Sequence, residues 1–183
     1  MKRIVLVPTF NERENLARLV EAIRALPVAF DVLVIDDNSP DGTGRLADEL
    51  AASTPGLFVL HRPRKEGLGR AYLAAFPWAL ERGYDQVFHM DCDFSHDPAR
   101  LPALAEALDG ADLALGSRYV EGGGVEGWGL VRRAISGWGS IYARLFLGLR
   151  IRDLTGGFKG FRRQVLEGME LARVRSVGYC FQG

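Results

Sequence analysis

The stretch Gln86-Val87-Phe88-His89-Met90-Asp91-Cys92-Asp93-Phe94-Ser95-His96-Asp97-Pro98 decides the fold. Its first half is a short apolar run with strand character, and its second half is a turn carrying two carboxylates one residue apart, closed by an Asp-Pro pair of the kind that starts a helix. Working outward, Arg3–Val7, Val32–Ile35, Leu57–Leu60 and Leu113–Leu115 read as further strands. Helical patterns separate them. Glu14–Leu26 places Leu16, Leu19, Val20 and Ile23 on one face, Leu101–Leu108 does the same with Leu104 and Leu108, and Thr43–Leu50 and Leu68–Leu80 are the others, the last interrupted or kinked at Pro77. Strands alternating with helices predict an α/β protein with a mostly parallel sheet. In such a sheet ligands bind beyond the carboxyl ends of the strands, so those ends are where chemistry is expected.

The 183 residues suit one domain, and 48% apolar with 25% charged residues is a globular composition that excludes disorder, collagen and coiled coil. With 23 basic and 23 acidic side chains there is no overall basic field for nucleic acid. The balance is uneven along the chain: residues 1–120 hold 13 basic and 18 acidic groups, residues 121–183 hold 10 and 5. Cys92 and Cys180 are too few for a disulfide scaffold and lack zinc spacing, which points to a reducing compartment. No run approaches the roughly 20 apolar residues that span a bilayer, and the expectation is a cytoplasmic protein.

Four strand ends are strongly marked: Pro8-Thr9-Phe10-Asn11-Glu12, Asp36-Asp37-Asn38-Ser39-Pro40-Asp41-Gly42-Thr43, Asp91-Cys92-Asp93 and Gly116-Ser117-Arg118-Tyr119. None is a dinucleotide fingerprint; Gly67-Leu68-Gly69 is followed by Tyr72 where a third glycine belongs, and no phosphate-binding Walker loop occurs. Asp91 and Asp93 can converge on one hard divalent cation, leaving positions for substrate phosphates. An acidic strand end is also an ordinary helix cap or turn, and Asp37 stands equally as a nucleoside contact or a turn residue. Past a glycine-rich loop, Gly122-Gly123-Gly124, a helix is expected whose apolar stripe of Val131, Ile135, Trp138, Tyr142, Leu145 and Leu149 is core. Its other side carries Arg132, Ser136, Gly139 and Ala143, a guanidinium and a hydroxyl among small residues.

The order of these pieces is more specific than any one of them. Pro-Thr-Phe-Asn-Glu from Pro8, Asp-Asp-Asn-Ser-Pro-Asp-Gly-Thr from Asp36, Gly-Leu-Gly-Arg-Ala from Gly67, the Asp-x-Asp-x-Ser-His-x-Pro block from Asp91, Gly-Ser-Arg-Tyr from Gly116, the Gly123 to Ser136 run and Asp-Leu-Thr-Gly-Gly-Phe from Asp153 follow one another. Together, from about Ile4 to Gln182, they resemble the family 2 inverting glycosyltransferases, and among them the dolichyl-phosphate (polyprenyl-phosphate) mannose synthases.

The resemblance implies the GT-A fold and transfer of mannose from GDP-mannose to dolichyl or polyprenyl phosphate. It places Pro8, Phe10, Glu12, Ile35 and Asp37 against the donor, together with Asp91, Cys92, Asp93 and Arg118. Asp91 and Asp93 would hold Mg2+ or Mn2+. Ser95, standing where some relatives have a glutamine that helps hold the metal, is a candidate ligand, direct or through water. Arg118, Arg132 and Ser136 would grip the acceptor phosphate, and Arg133 could join them; Asp91, Asp93, Arg118 and Arg132 are the catalytic candidates. His89 is expected to pack on its strand, His96 to fix its loop, and the role of Asp153 is open between orienting an arginine and shaping its loop. Residues 1–120 thus form a donor and metal part and 121–183 an acceptor part of one domain, peripheral on the cytoplasmic membrane face. The stop at Gly183, after Tyr179-Cys180-Phe181, reads as a domain cut short at its C-terminal end. Two other readings stand beside this one: a sister enzyme using another donor such as UDP-glucose, and an inactive nucleotide-sugar-binding fragment.

Overall fold

The computed structural model describes residues 1–116 and 156–171. In chain order these are β1 (Arg3–Thr9), α1 (Arg13–Arg24), β2 (Asp31–Asp36), α2 (Thr43–Ser53), β3 (Leu57–His61), α3 (Leu68–Glu81), β4 (Gln86–His89), a 3-10 turn (Pro98–Arg100), α4 (Leu101–Ala107), β5 (Leu113–Leu115), β6 (Lys159–Arg162) and α5 (Arg163–Gly168). The strands form one sheet in the order β3-β2-β1-β4-β6-β5. β1 pairs in parallel with β2 and β4, β2 with β3, and β6 lies antiparallel between β4 and β5.

Period-two alternation builds the core on both faces. Val5, Val7, Val32 and Val34 face a layer that includes Leu16, Leu19, Val20 and Ile23 of α1, with Leu101 and Leu104 of α4. Ile4, Leu6, Leu33 and Ile35 face Ala71, Tyr72, Ala75, Phe76 and Ala79 of α3 and Leu166 of α5. Glycine at 160 is what lets β6 lie against β4: a Cβ there would come within 2.7 Å of the Phe88 ring and 3.2 Å of Leu108 Cδ1. Helix α3 continues through Pro77 as one element, so the proline does not interrupt it.

Strand β1 is where the sheet divides. Successive crossovers go from β1 to β2 on one side and then return to β4 on the other, so the space over the carboxyl ends of β1 and β4 is a topological switch point. The β1–β4 ladder ends at Leu6 and His89, with one further bond from the Met90 amide to the Leu6 carbonyl, while β1 stays paired with β2 as far as Thr9. Pro8, which has no N–H to give, is the residue that would have continued the ladder toward β4.

Candidate active site

Strand ends and the turns that follow them position every described candidate. After β1, Phe10 and Asn11 lead into α1, with Glu12 at its N-cap; the Glu12 amide donates to Thr43 Oγ1 at 3.0 Å, tying this turn to the start of α2. After β2, Asp36 is buried and satisfied by Ser39, whose hydroxyl donates to Oδ1 at 2.5 Å and whose amide donates to Oδ2 at 3.2 Å. Asn11, Asn38 and Phe94 all have positive φ, 62°, 58° and 57°. Each lies just beyond the carboxyl end of a parallel strand. Asparagine tolerates that conformation, but a phenylalanine there is held by its surroundings, which is how strain gathers at functional turns.

At the end of β4, Asp91 is partly exposed and Asp93 exposed. Asp93 Oδ1 accepts the Ser95 amide at 2.9 Å, so Ser95 acts on Asp93 through its main chain. His96 lies flat against Phe158, centroids 5.4 Å apart, and brings Nε2 to 3.7 Å from Asp91 Oδ2. Gly157 closes on the same carboxylate: a Cβ on it would stand 2.9 Å from Asp91 Oδ2 and 3.4 Å from His96 Nε2. Asp97 caps the following 3-10 turn through the Ala99 amide at 2.9 Å, as the Asp-Pro pair predicts.

Cys92 is buried between the two carboxylates. Burial first, then the charges of Glu12, Asp93 and Asp91, push its thiol up to about 12, so it is neutral and unreactive near pH 7. His89 packs on its strand as expected, stacked on Tyr72 at 3.7 Å with Phe76 and Phe161 around it. Burial, reinforced by Lys159, holds its pKa well below the usual histidine range, and neither ring nitrogen meets a hydrogen-bond partner among the described residues. Neither group is placed for acid–base work.

The donor candidates at the ends of β1 and β2 fall together. Pro8 and Ile35 are partners in the β1–β2 register, and the Asp37 amide donates to the Thr9 carbonyl at 3.2 Å. Ile35 has its side chain in the core, which leaves only its main chain for a ligand. Asp37 meets a residue the sequence reading did not single out: Arg62, just past β3, donates from Nη1 to Asp37 Oδ1 at 2.6 Å. Lys65, on the same turn, holds its ammonium 4.1 Å over the Phe10 ring. The signal that could have found both is positional, because the end of β3 obeys the same rule as the other strand ends. A shallow polar pocket beside α2, lined in part by Asp36, Ser39, Asp41, Arg45 and His61, includes neither Asp91 nor Asp93. Arg118, Arg132, Arg133, Ser136, Asp153 and the apolar stripe from Val131 to Leu149 lie outside the described residues, as does Cys180.

The donor set of Asp91 and Asp93 fits a hard divalent ion: oxygen ligands only, open on one side and backed on the other by a glycine where a side chain would intrude. Among the described residues no three His, Cys, Asp or Glu side chains converge. Two carboxylates beyond a strand end, at the switch point of a mostly parallel α/β sheet, are what the resemblance to nucleotide-sugar transferases of the GT-A fold implies.

Comparison with known proteins agrees. The sequence model of glycosyl transferase family 2 matches residues 4–169, and the chain belongs to that family. It is 50% identical over 183 residues to the polyprenol monophosphomannose synthase of Mycolicibacterium smegmatis, covering 99% of this chain and 69% of that one. It is 47% identical over 182 residues to the undecaprenyl-phosphate mannosyltransferase of Micrococcus luteus, covering 100% and 75%. A dolichol-phosphate mannosyltransferase of Pyrococcus furiosus is 41% identical over 177 residues, 93% of this chain and 49% of that one. Among solved structures, mannosyl-3-phosphoglycerate synthase from Rubrobacter xylanophilus superposes with a TM-score of 0.68 at 18% identity, over 90% of this chain and 54% of that one. A mannosyltransferase from Pyrobaculum calidifontis in complex with GDP-Man and Mn2+ gives 0.57 at 17% identity, over 91% and 46%. The chain thus spans about half of each of these two structures, whose likeness is one of fold.

Proposed function

We propose that this glycosyltransferase moves mannose from GDP-mannose to the phosphate of a polyprenyl or dolichyl phosphate, with inversion at the anomeric carbon. The observation that carries the reading is the Asp91–Asp93 pair at the switch point, in a chain whose curated relatives are named for mannosyl transfer to polyprenyl phosphates. The donor then lies over the ends of β1 and β2, with Pro8, Phe10, Glu12 and Asp37 along its nucleoside side. Asp91 and Asp93 would hold Mg2+ or Mn2+, which when bound supplies positive charge against the leaving diphosphate.

In the reaction an acceptor phosphate oxygen forms a bond to the anomeric carbon while the bond from that carbon to the diphosphate breaks, its electron pair leaving with GDP. A phosphate monoester has its second pKa near about 6, so the nucleophile is already ionised at neutral pH and no strong general base is needed. What the protein must do is bring two anionic phosphates into line, and the guanidinium forks of Arg118 and Arg132, with Ser136, are assigned to the incoming one. The chain would work at the cytoplasmic surface of a membrane; among the described residues no helix is long and apolar enough to cross one.

Asp91→Ala and Asp93→Ala should each lower transfer of labelled mannose to polyprenyl phosphate by at least about 100-fold, the scale on which metal and charge stabilisation act. Full activity of either variant without added metal would overturn the assignment. Titration with GDP-mannose and with UDP-glucose settles the donor: tighter binding of UDP-glucose would replace the mannose reading.

A further inference from the structure

The turn after β3, Arg62-Pro63-Arg64-Lys65-Glu66-Gly67, is lashed to the end of β2 by a set of bonds that the surface of a loop does not require. The Arg62 amide donates to the Asp36 carbonyl at 2.8 Å, and Asn38 Nδ2 donates to the Pro63 carbonyl at 3.3 Å. At the centre is a buried ion pair. Asp37 is 6% exposed and Arg62 8% exposed, and the guanidinium spans two carboxylates, Asp37 through Nη1 at 2.6 Å and Glu66 through Nη2 at 3.1 Å.

Such an arrangement is a poor stabilising device, because the cost of taking both charges out of water offsets much of their attraction. Asp37 shows that cost: its pKa is raised on balance, by burial first and by neighbouring Asp36, with the Arg62 charge and hydrogen bond acting against the rise. Geometry holds this carboxylate in one orientation beside Thr9, where the donor's nucleoside is assigned. With one side held by Arg62, the carboxylate has lone pairs left for the hydroxyls of a ribose or the N–H edge of a base. A lysine could supply charge but not a planar fork reaching Asp37 and Glu66 at once.

We propose that Arg62 is a positioning residue for nucleoside recognition: clamped between Asp37 and Glu66, it fixes the Asp37 carboxylate as an acceptor and so sets the preference of the site for a nucleoside diphosphate over bare diphosphate. The inference rests on the reading of Asp37 as a nucleoside contact and deepens it. Arg62 itself touches Asp37, not the reacting atoms.

The test is calorimetric titration of the whole 183-residue chain, with Mn2+ present, using GDP in one arm and inorganic pyrophosphate in the other. Arg62→Lys should weaken GDP about tenfold and Arg62→Met by about tenfold to 100-fold, the range of charge-assisted hydrogen bonds, with pyrophosphate affinity unchanged within about twofold. In the Asp37→Asn background, adding Arg62→Met should cost no further GDP affinity, because Arg62 acts through Asp37. That double variant leaves no unpaired buried charge at position 37, so it and Arg62→Lys carry the test if Arg62→Met fails to fold. Equal loss of GDP and pyrophosphate, or full additivity in the double variant, would overturn the proposal. An Asp37→Asn variant that binds GDP as the wild type does would overturn it by removing the contact on which it rests. The mannose donor fails separately, by preference for UDP over GDP, and the same cycle read with UDP then decides the role of Arg62.

Discussion

The Asp91 carboxylate is held by residues that are themselves held. His96 is stacked on Phe158, Phe158 fills the space where Gly116 lacks a side chain, and Gly157 lets the backbone before Phe158 approach Asp91. The Gly156-Gly157-Phe158 run therefore shapes the surroundings of the carboxylate proposed to hold the metal, although it lies more than sixty residues away in sequence. Gly157→Ala is expected to lower mannosyl transfer at least about tenfold by displacing Asp91, since a misplacement of about 1 Å in a reacting constellation can cost about 100-fold. The melting temperature should stay within a few degrees. A parallel fall in both, or wild-type activity in the alanine variant, would show that the close approach does not position Asp91.

At the level of elements, Tyr84 shows how the opposite end of the sheet is fastened. Its hydroxyl donates to Asp31 Oδ2 at 2.6 Å, joining the turn before β4 to the first residue of β2. Burial first, then the hydrogen bond and charge of Asp31, push the phenol well above its ordinary value. Below the unfolded value of about 10 both states are protonated and this linkage leaves stability untouched. As pH rises past it, the unfolded chain ionises while the folded one does not, and stability falls by up to about 1.4 kcal/mol per pH unit. Tyr84→Phe should therefore cost about 1 kcal/mol at pH 8 and show a shallower decline between pH 10 and 11 in urea titrations. Equal slopes for the two proteins would place the alkaline loss elsewhere. The elements themselves were legible where one pattern dominated. Leu16, Leu19, Val20 and Ile23 mark α1 by spacing, and Leu113–Leu115 coincides with β5. Strand β6 was not, because Lys159-Gly160-Phe161-Arg162 has no apolar alternation and owes its place to Gly160 fitting against Phe88. Asp91 and Asp93 could be read from a strand end, but Arg62 could not be joined to Asp37, since 25 residues separate the pair and only the parallel β2–β3 register brings them together.

Over the whole molecule, the zero net charge conceals an uneven distribution of charge, and the proposed division into donor and acceptor parts carries its own test. Residues 1–120 are net acidic, with the carboxylates assigned to metal and nucleoside, while residues 121–183 carry twice as many basic as acidic groups. An acceptor whose phosphate sits at a lipid surface suits the second part, because Lys and Arg near an anionic leaflet contribute about 1 kcal/mol each and the field decays within a Debye length of about 10 Å at 0.1 M salt. The protein should float with vesicles of phosphatidylcholine and phosphatidylglycerol at 50 mM salt, lose most of that binding at about 0.5 M, and leave pure phosphatidylcholine vesicles bare. Equal binding to neutral vesicles, insensitive to salt, would mean that apolar insertion rather than charge brings the chain to the membrane, and the split would then reflect the acidic demands of the donor site alone.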